Sequence, residues 1–528
     1  MKKTILLNIL CLLSLMGYAQ KETTNWTFGG YAGLTWNKTR SWDCKGLAGT
    51  PDATLTGLPT NFRNDLSSTG NTMTFSDKNG NLLFYSDGRL INDRTHDGLG
   101  VELTGSLATT IPGVPFPYPG DKNKTVIVTI RDVYHNMYDR ILCYTVWDQT
   151  RRGGLGGVVP GKLNIPLEGA KGYTRSAVAA VAHENGEDYW ITVPGYSDNW
   201  QMNPEIDHMY LNTWLFTASG EMSAAPLTLK LPYKIRGNTT GMFRFTEDGA
   251  HFFFSLGENQ SGINIIIYGD FDNSTGTFSN IKEMKSTTYL SYFDFNKNGT
   301  LLYLVDFVKA EILVYKADEL WSMPSHTTVT KKRYKYNQSI VKGTLYSVQR
   351  AIDNRIYIGE IVHRGMVILD NIDDFDNLKL YYTSEGNDRK SFLDNSCVRG
   401  FPVFPAGLFR AAPEIKAFGC TGNTIMSSIV VESAAGIPAN QPVKLTWNFG
   451  DGSPTVDQPV VSGQTEYSLQ HTFNAGGRYT VTVTPYKADG KPLKAIKVPV
   501  NIVDCTIRTN RMIRTDLQNA DIKKMMTE

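Results

Sequence analysis

Between Asn25 and about Arg410 one pattern recurs: a short alternation of apolar and polar residues runs into a turn dipeptide and then resumes. Met73-Thr-Phe-Ser-Asp-Lys-Asn-Gly-Asn-Leu-Leu-Phe-Tyr85 is the first clear case, and Val181-Ala-His-Glu-Asn-Gly-Glu-Asp-Tyr-Trp-Ile191 the second. Phe243-Arg-Phe-Thr-Glu-Asp-Gly-Ala-His-Phe-Phe-Phe254 and Phe293-Asp-Phe-Asn-Lys-Asn-Gly-Thr-Leu-Leu-Tyr-Leu304 follow, with a weaker copy at Val348–Ile358. Asn-Gly or Asp-Gly between alternating runs predicts a β-hairpin whose two turn residues both take positive φ. The turn residues Gly80, Gly186, Gly249, Gly299 and Asn354 are spaced by 106, 63, 50 and 55 positions, the first gap being about two periods. A unit of about 50–60 residues built from short strands predicts an all-β, roughly seven-bladed β-propeller. Separate β-sandwiches would leave a linker every hundred residues or so, and none precedes residue 411. Local helical periodicity is confined to Lys316–Trp321 and the C-terminal tail.

Arg399-Gly-Phe-Pro-Val-Phe-Pro-Ala-Gly-Leu-Phe409 ends the repeats, and Ala411-Ala-Pro-Glu414 reads as a linker. The pattern then changes. Lys444-Leu-Thr-Trp-Asn-Phe-Gly-Asp-Gly-Ser453, His471-Thr-Phe473 and the alternation across Tyr479–Val483 suit one small immunoglobulin-like β-sandwich. The expected organisation is therefore residues 20–410 as the propeller, 411–505 as the sandwich and 506–528 as a tail.

Residues 1–19 read as a secretory leader: Lys2 and Lys3 precede an apolar run from Ile5 to Met16, and Gly17-Tyr18-Ala19 places small residues at −3 and −1 of a cleavage between Ala19 and Gln20. That run is too short to span a bilayer, and no later stretch is long enough. Cys11 lacks the small residue before it that a lipid-anchor signal needs. Of 53 basic and 51 acidic residues the leader holds two lysines and no acid, so the mature chain is close to neutral. Neutrality removes the electrostatic case for nucleic acid or an anionic membrane as partner. Five cysteines remain outside the leader, too few and too scattered for a disulfide framework, and no Cys-x-x-Cys occurs. Cys420 and Cys505 bracket the sandwich, and a disulfide between them would close a loop worth roughly 4 kcal/mol in the chain-entropy model.

Several of these stretches resemble a family of exported Bacteroidota proteins that pair an N-terminal propeller-like domain with a polycystic kidney disease (PKD) module. The resemblance rests on Asn25-Trp-Thr-Phe-Gly-Gly-Tyr-Ala-Gly-Leu34, Asp77–Gly88, Gly153–Val158 and His183–Trp190, in that order along the chain. For the PKD module it rests on Trp447-Asn-Phe-Gly-Asp-Gly452, His471-Thr-Phe473 and Tyr479-Thr-Val-Thr482. It implies a surface or adhesion role and export, often by the type IX route. Members using that route usually end in a sorting domain of about seventy or more residues, whereas 23 residues follow Cys505 here. A periplasmic or outer-membrane-associated location therefore stands beside the cell surface.

Motifs that would carry chemistry fail on their spacing. His183-Glu184 is followed by Asn185-Gly186 and then Glu187, so two histidines cannot share a helix face. Gly153-Gly-Leu-Gly-Gly157 runs into Val158-Val159-Pro160 where a phosphate cradle needs a helix. Asp270-Phe-Asp-Asn-Ser-Thr-Gly276 alternates oxygen ligands as calcium loops do, yet Thr275 holds the place of the turn glycine and Ile281 that of the bidentate acid. Structural calcium is the one cofactor considered, and the expectation is none. Asp373, Asp374 and Asp376 read as a solvated acidic loop. Ser76-Asp-Lys-Asn-Gly80 resembles a sialidase box but has Lys78 where the box needs Asp. No Gly-x-Ser-x-Gly occurs, so no catalytic residue is assigned.

Two proline- and aromatic-rich stretches, Pro112–Pro119 and Gly195–Pro204, read as rigid loops able to contact glycans or proteins. The apolar stripe Met512, Ile513, Leu517, Ile522, Met525 and Met526 would let the tail dock in a partner's groove. Asn25–Trp36 is expected to supply a strand to the final blade and close the ring. The reading that follows is an exported, non-enzymatic binding or scaffold protein engaging envelope or surface proteins, or glycans. The alternatives are a polysaccharide-active hydrolase or lyase with a site in the propeller channel, and an accessory subunit of an outer-membrane secretion or assembly complex.

Overall fold

A computed structural model describes residues 21–503 apart from short internal stretches, chiefly 106–110, 131–141, 197–207, 234–240, 384–390, 409–417 and 431–441. The leader with Ala19 and Gln20, Cys397, Cys505 and the tail lie outside the described residues. The chain divides into two compact units, Met1–Ala411 and Ala412–Glu528.

The first unit is a β-propeller. Its opening sheet joins Asn25–Phe28, Ala32–Leu47 and Ala53–Arg63. Antiparallel meanders follow, each starting from an inner strand: Met73–Ser76, Gly113–Pro117, Ala179–Ala182, Phe243–Phe245, Tyr292–Phe295 and Leu345–Arg350. Each meander then steps outward one strand at a time. Neighbouring inner strands pack side by side from Asn25–Phe28 round to Phe243–Phe245, and again at Tyr292–Phe295 and Leu345–Arg350, with Phe253 meeting Phe293 at 4.7 Å between these two groups. The ring closes where the Trp26 indole meets the Tyr357 ring of the last meander at 5.9 Å.

All five turns read from the sequence join the first and second strands of a meander. Their conformation differs from the expectation. Gly80, Gly186, Gly249, Gly299 and Asn354 have positive φ, but the Asn or Asp before each does not. Each turn residue donates its N–H to the carbonyl three residues back, as Gly249 does to Thr246 at 2.8 Å and Gly299 to Asn296 at 3.1 Å. This is a four-residue turn closed by one left-handed residue, because the loops are longer than a two-residue hairpin allows. The 106-residue gap holds the meander that starts at Gly113–Pro117, which turns at Gly120 instead.

Two further expectations are corrected. The strand lent to the last meander is Lys45–Leu47, paired with Leu380–Tyr382 at its outer edge, and not Asn25–Trp36. The long strand Ala32–Leu47 breaks register between Thr35 and Thr39 and again between Arg40 and Trp42, so that one strand serves two sheets. Pro112–Pro119 is not a surface loop either, since Gly113–Pro117 is a buried inner strand. An inner strand has one ladder neighbour only, so proline's missing N–H is tolerated there. Phe116 stacks on Tyr189 at 4.9 Å across to the next meander.

In the second unit, one sheet runs Phe418–Cys420, Ile496–Val503, Gly477–Tyr486, Lys444–Asn448, Val456–Pro459, and the other pairs Thr424–Val430 with Glu466–Thr472. Leu445, Trp447, Val481 and Val483 from the first meet Ile429 and Tyr467 from the second in one core. Cys420 is disulfide-bonded, and the parallel register sets it opposite Val503, two residues before Cys505.

Candidate functional site

What stands at the centre of the ring is the chain itself. After the last meander, residues 401–408 return through the middle. Val403 donates its N–H to Thr72 at 3.1 Å, while Ala406 donates to Ala180 at 2.9 Å and accepts from Ala182 at 3.0 Å. These bonds tie inner strands of two non-adjacent meanders. Phe401 is buried against Trp26 at 5.2 Å and Phe28 at 5.6 Å, and Leu408 joins the cluster of Met73 and Phe84. The fit is close: a Cβ on Gly400 would lie 2.3 Å from the Asn71 Cα, and one on Gly407 would lie 2.8 Å from the Ala182 Cβ.

Beside this plug a cavity remains, lined on one side by Ile111, Ala179, Ala180 and Phe404 and on the other by Arg244, Glu247, Asp294, Gln349 and Arg350. It measures about 60 Å³. The polar residues come from three consecutive meanders. Counted back five positions from the turn residues, the inner strands carry Phe75, Val181, Arg244, Asp294 and Gln349. Where the plug packs, that register is apolar; where the cavity lies, it is charged or amide. The Arg244 guanidinium donates to the Gln349 Oε1 at 3.0 Å and the Val348 carbonyl at 3.2 Å. Its distance to the Asp294 carboxylate is 3.7 Å, beyond hydrogen-bond length. Asp294 instead accepts the backbone N–H groups of Phe295 at 2.8 Å and Arg350 at 2.7 Å. Arg350 pairs with Glu247 at 3.2 Å. The arrangement can hold a small polar molecule. None of these residues was singled out from sequence, although aligning the repeats on their turn residues exposes the polar register.

The sequence candidates fall elsewhere. His183 and Glu184 lie in the hairpin turn read for them, with the His183 ring stacked on Trp190. In the Gly153–Gly157 stretch, a Cβ on Gly156 would strike the Trp147 ring at 2.2 Å, so this segment packs flush against an indole. Asp270 is engaged by His251 at 2.9 Å and by Asn280, and Asp272 closes its own turn on Ser274. Hydrogen bonds from Ser274 hold the Asp272 carboxyl below its usual range. Asp373 is more than solvated: it accepts from Asn296 at 2.9 Å and Asn354 at 2.6 Å, tying two hairpin turns together. Asp376 pairs with Lys332 at 2.7 Å. Among the described residues, no cluster of three or more His, Cys, Asp or Glu side chains is gathered as metal ligands. No helix among them is long and apolar enough to cross a membrane.

In the second unit the Trp447–Gly452 and His471–Phe473 motifs form one structural lock. The His471 Nε2 meets the Asp451 Oδ2 at 2.7 Å, and the ring stacks on Phe449 at 3.9 Å. Burial alone would raise the Asp451 pKa, but bonds from Ser453 and His471 pull it down to about 2. A carboxylate of depressed pKa stabilises the fold above its unfolded value of about 3.9 and loses that contribution as pH falls toward 2. Asp451→Asn should therefore destabilise this unit by about 1–3 kcal/mol at pH 7, with the gap to the unsubstituted chain closing by pH 2. Thermal melts of the full chain across that range check it; a pH-independent gap would contradict the assignment.

The chain is thus a β-propeller protein with a second β-sandwich unit, and residues 410–501 match the PKD domain family. No curated protein sequence matches the chain. Among solved structures it is similar to the periplasmic gluconolactonase of Pseudomonas aeruginosa, at 10% identity and TM-score 0.36, over 78% of this chain and 93% of that one. An oligogalacturonate lyase in complex with manganese matches at 13% identity and TM-score 0.33, over 64% and 83%. A β-propeller domain from Myceliophteria thermophila matches at 11% and 0.33, over 68% and 96%. At such scores these likenesses assign neither activity nor substrate.

Proposed function

We propose that this is an exported, non-enzymatic binding or scaffold protein of the cell envelope or surface, engaging proteins or glycans through its outer loops and its PKD unit. The observation that carries the reading is the filled centre of the ring. Ligand pockets usually measure about 300–1,000 Å³, and the cavity beside the plug is about 60 Å³. A polysaccharide chain has no room there to reach paired carboxylates, and Glu247 and Asp294 are already engaged by Arg350 and by backbone N–H groups. Contact then falls to the outside of the propeller. The PKD match supports an adhesive or spacer role for the second unit.

Affinity purification of the full chain from native membranes, paired with turnover assays on any captured glycan, tests this reading. A retained partner without turnover is the expected result. Release of new reducing ends or unsaturated sugars would replace it with the hydrolase or lyase reading.

A further inference from the structure

We propose that the outer edge of the opening sheet, residues 60–63, docks an extended acidic segment of a partner protein, which adds there as a fourth strand. The inference rests on the reading of the outer surface as the contact surface and gives the partner a form. Each of the six meanders is at least four strands wide. The opening sheet has three: Asn25–Phe28, then residues 32–35, then residues 60–63. Its width is lost at the break in register after Thr35, where residues 39–44 and 53–59 continue as a ribbon toward the edge of the last meander. Among the described residues, no strand takes the fourth position.

That edge is open to pairing. The Asn64 N–H donates to the Tyr31 carbonyl at 3.2 Å, so along the antiparallel ladder Phe62 and Thr60 also turn their backbone groups inward, opposite Gly33 and Thr35. Asn61 and Arg63 therefore point N–H and C=O away from the sheet, and among the described residues those groups have no partner. None of the four residues is buried. A strand with free backbone groups on one side is a template for another strand. Both faces beside it are already walled. On one, the Phe62 ring lies over Gly33 and stacks on His96 at 6.3 Å. On the other, the Asn61 amide donates to the Phe392 carbonyl at 2.8 Å and to Asp394 at 3.0 Å. Arg63 sets the charge: it is exposed, its guanidinium lies over the Tyr31 ring at 5.7 Å, and it makes no ion pair among the described residues. Side chains alternate across a sheet, so the incoming strand needs acids on the Arg63 face and aliphatic residues on the Phe62 face.

Titrating fluorescein-labelled Thr-Val-Glu-Val-Glu-Val-Thr and its Lys counterpart onto the full chain, read by anisotropy and by hydrogen-exchange mass spectrometry, tests the edge. Saturable binding of the Glu peptide is expected, about tenfold or more tighter than the Lys peptide, with exchange slowed at residues 60–63. In an antiparallel fourth strand the Glu residues lie opposite Asn61 and Arg63 and exchange backbone bonds with them. N-methylation at the Glu residues should therefore abolish binding, and N-methylation at the Val residues should not. Arg63→Glu should reverse the preference between the two peptides; should that variant melt early, Arg63→Gln should remove it. No saturable binding overturns the proposal, as does binding that survives methylation at Glu or that slows exchange only elsewhere. A dimer of the chain that Arg63→Glu dissolves also overturns it, because the edge then serves a second copy. The peptides stand in for the native partner, so their failure strikes this edge alone, while an empty purification from native membranes strikes the general reading.

Discussion

A chain lacking residues 21–36 is expected to lose the cooperative melting of its first unit altogether. The segment contributes the strand Asn25–Phe28, in which all four residues are buried. The Asn25 amide donates to the Ser76 Oγ at 2.9 Å and the Gly80 carbonyl at 2.8 Å, and the Thr27 N–H donates to the Thr74 Oγ1 at 3.1 Å. Those bonds hold the opening sheet to the meander that starts at Met73–Ser76. On its other side Trp26 meets Tyr357 of the last meander, and Trp36 meets the same ring at 5.4 Å. Removing the segment therefore opens the ring at one place on both sides. Truncating one buried Trp or Phe costs about 3–5 kcal/mol; losing Trp26, Phe28 and Trp36 together is comparable with the whole stability of a typical domain, about 5–15 kcal/mol. Calorimetry of the full and shortened chains reads the outcome. A shortened chain whose first-unit transition keeps its enthalpy and midpoint would show that the ring does not depend on this strand.

Phe401→Ala is expected to destabilise the same unit by about 3–5 kcal/mol without touching any strand of the meanders. Phe401 is 1% exposed and sits between Trp26 and Phe28, so truncation leaves a void in the middle of the ring that rigid sheets cannot collapse to fill. The size of the effect distinguishes a plug from a passing linker. Val308→Ala, at a side chain 56% exposed, is the matched control and should change stability by no more than about 0.5 kcal/mol. Urea unfolding followed by tryptophan emission measures both. If the two substitutions cost the same, the return of residues 401–408 through the ring is not part of what holds it together.

Much of the architecture was legible because it is local. Five hairpin turns were located to the residue, since an Asn-Gly, Asp-Gly or Asp-Asn step between alternating runs has few other uses. The short helix Ala317–Ser322 fell where its periodicity placed it. The Trp447 and His471 motifs marked the second unit because their side chains bond within it. The errors share a cause. Pro112–Pro119 looked like a loop because proline is read as a breaker, and only the one-sided ladder of an inner strand makes it acceptable. Asn25–Trp36 was given the closing role that Lys45–Leu47 performs, because nothing in a 16-residue strand announces where its register will shift.

By itself, then, the sequence determined the all-β character, the repeat, its turns and the change of pattern after residue 410, all of which follow from alternation and turn chemistry over a few residues at a time. The tertiary structure alone decided that Phe401–Leu408 returns to occupy the centre. It also decided that Arg244, Asp294 and Gln349, about fifty residues apart in turn, face one cavity. Both depend on how many sheets surround the axis and how wide a space they leave, a property of the closed ring that no single repeat carries.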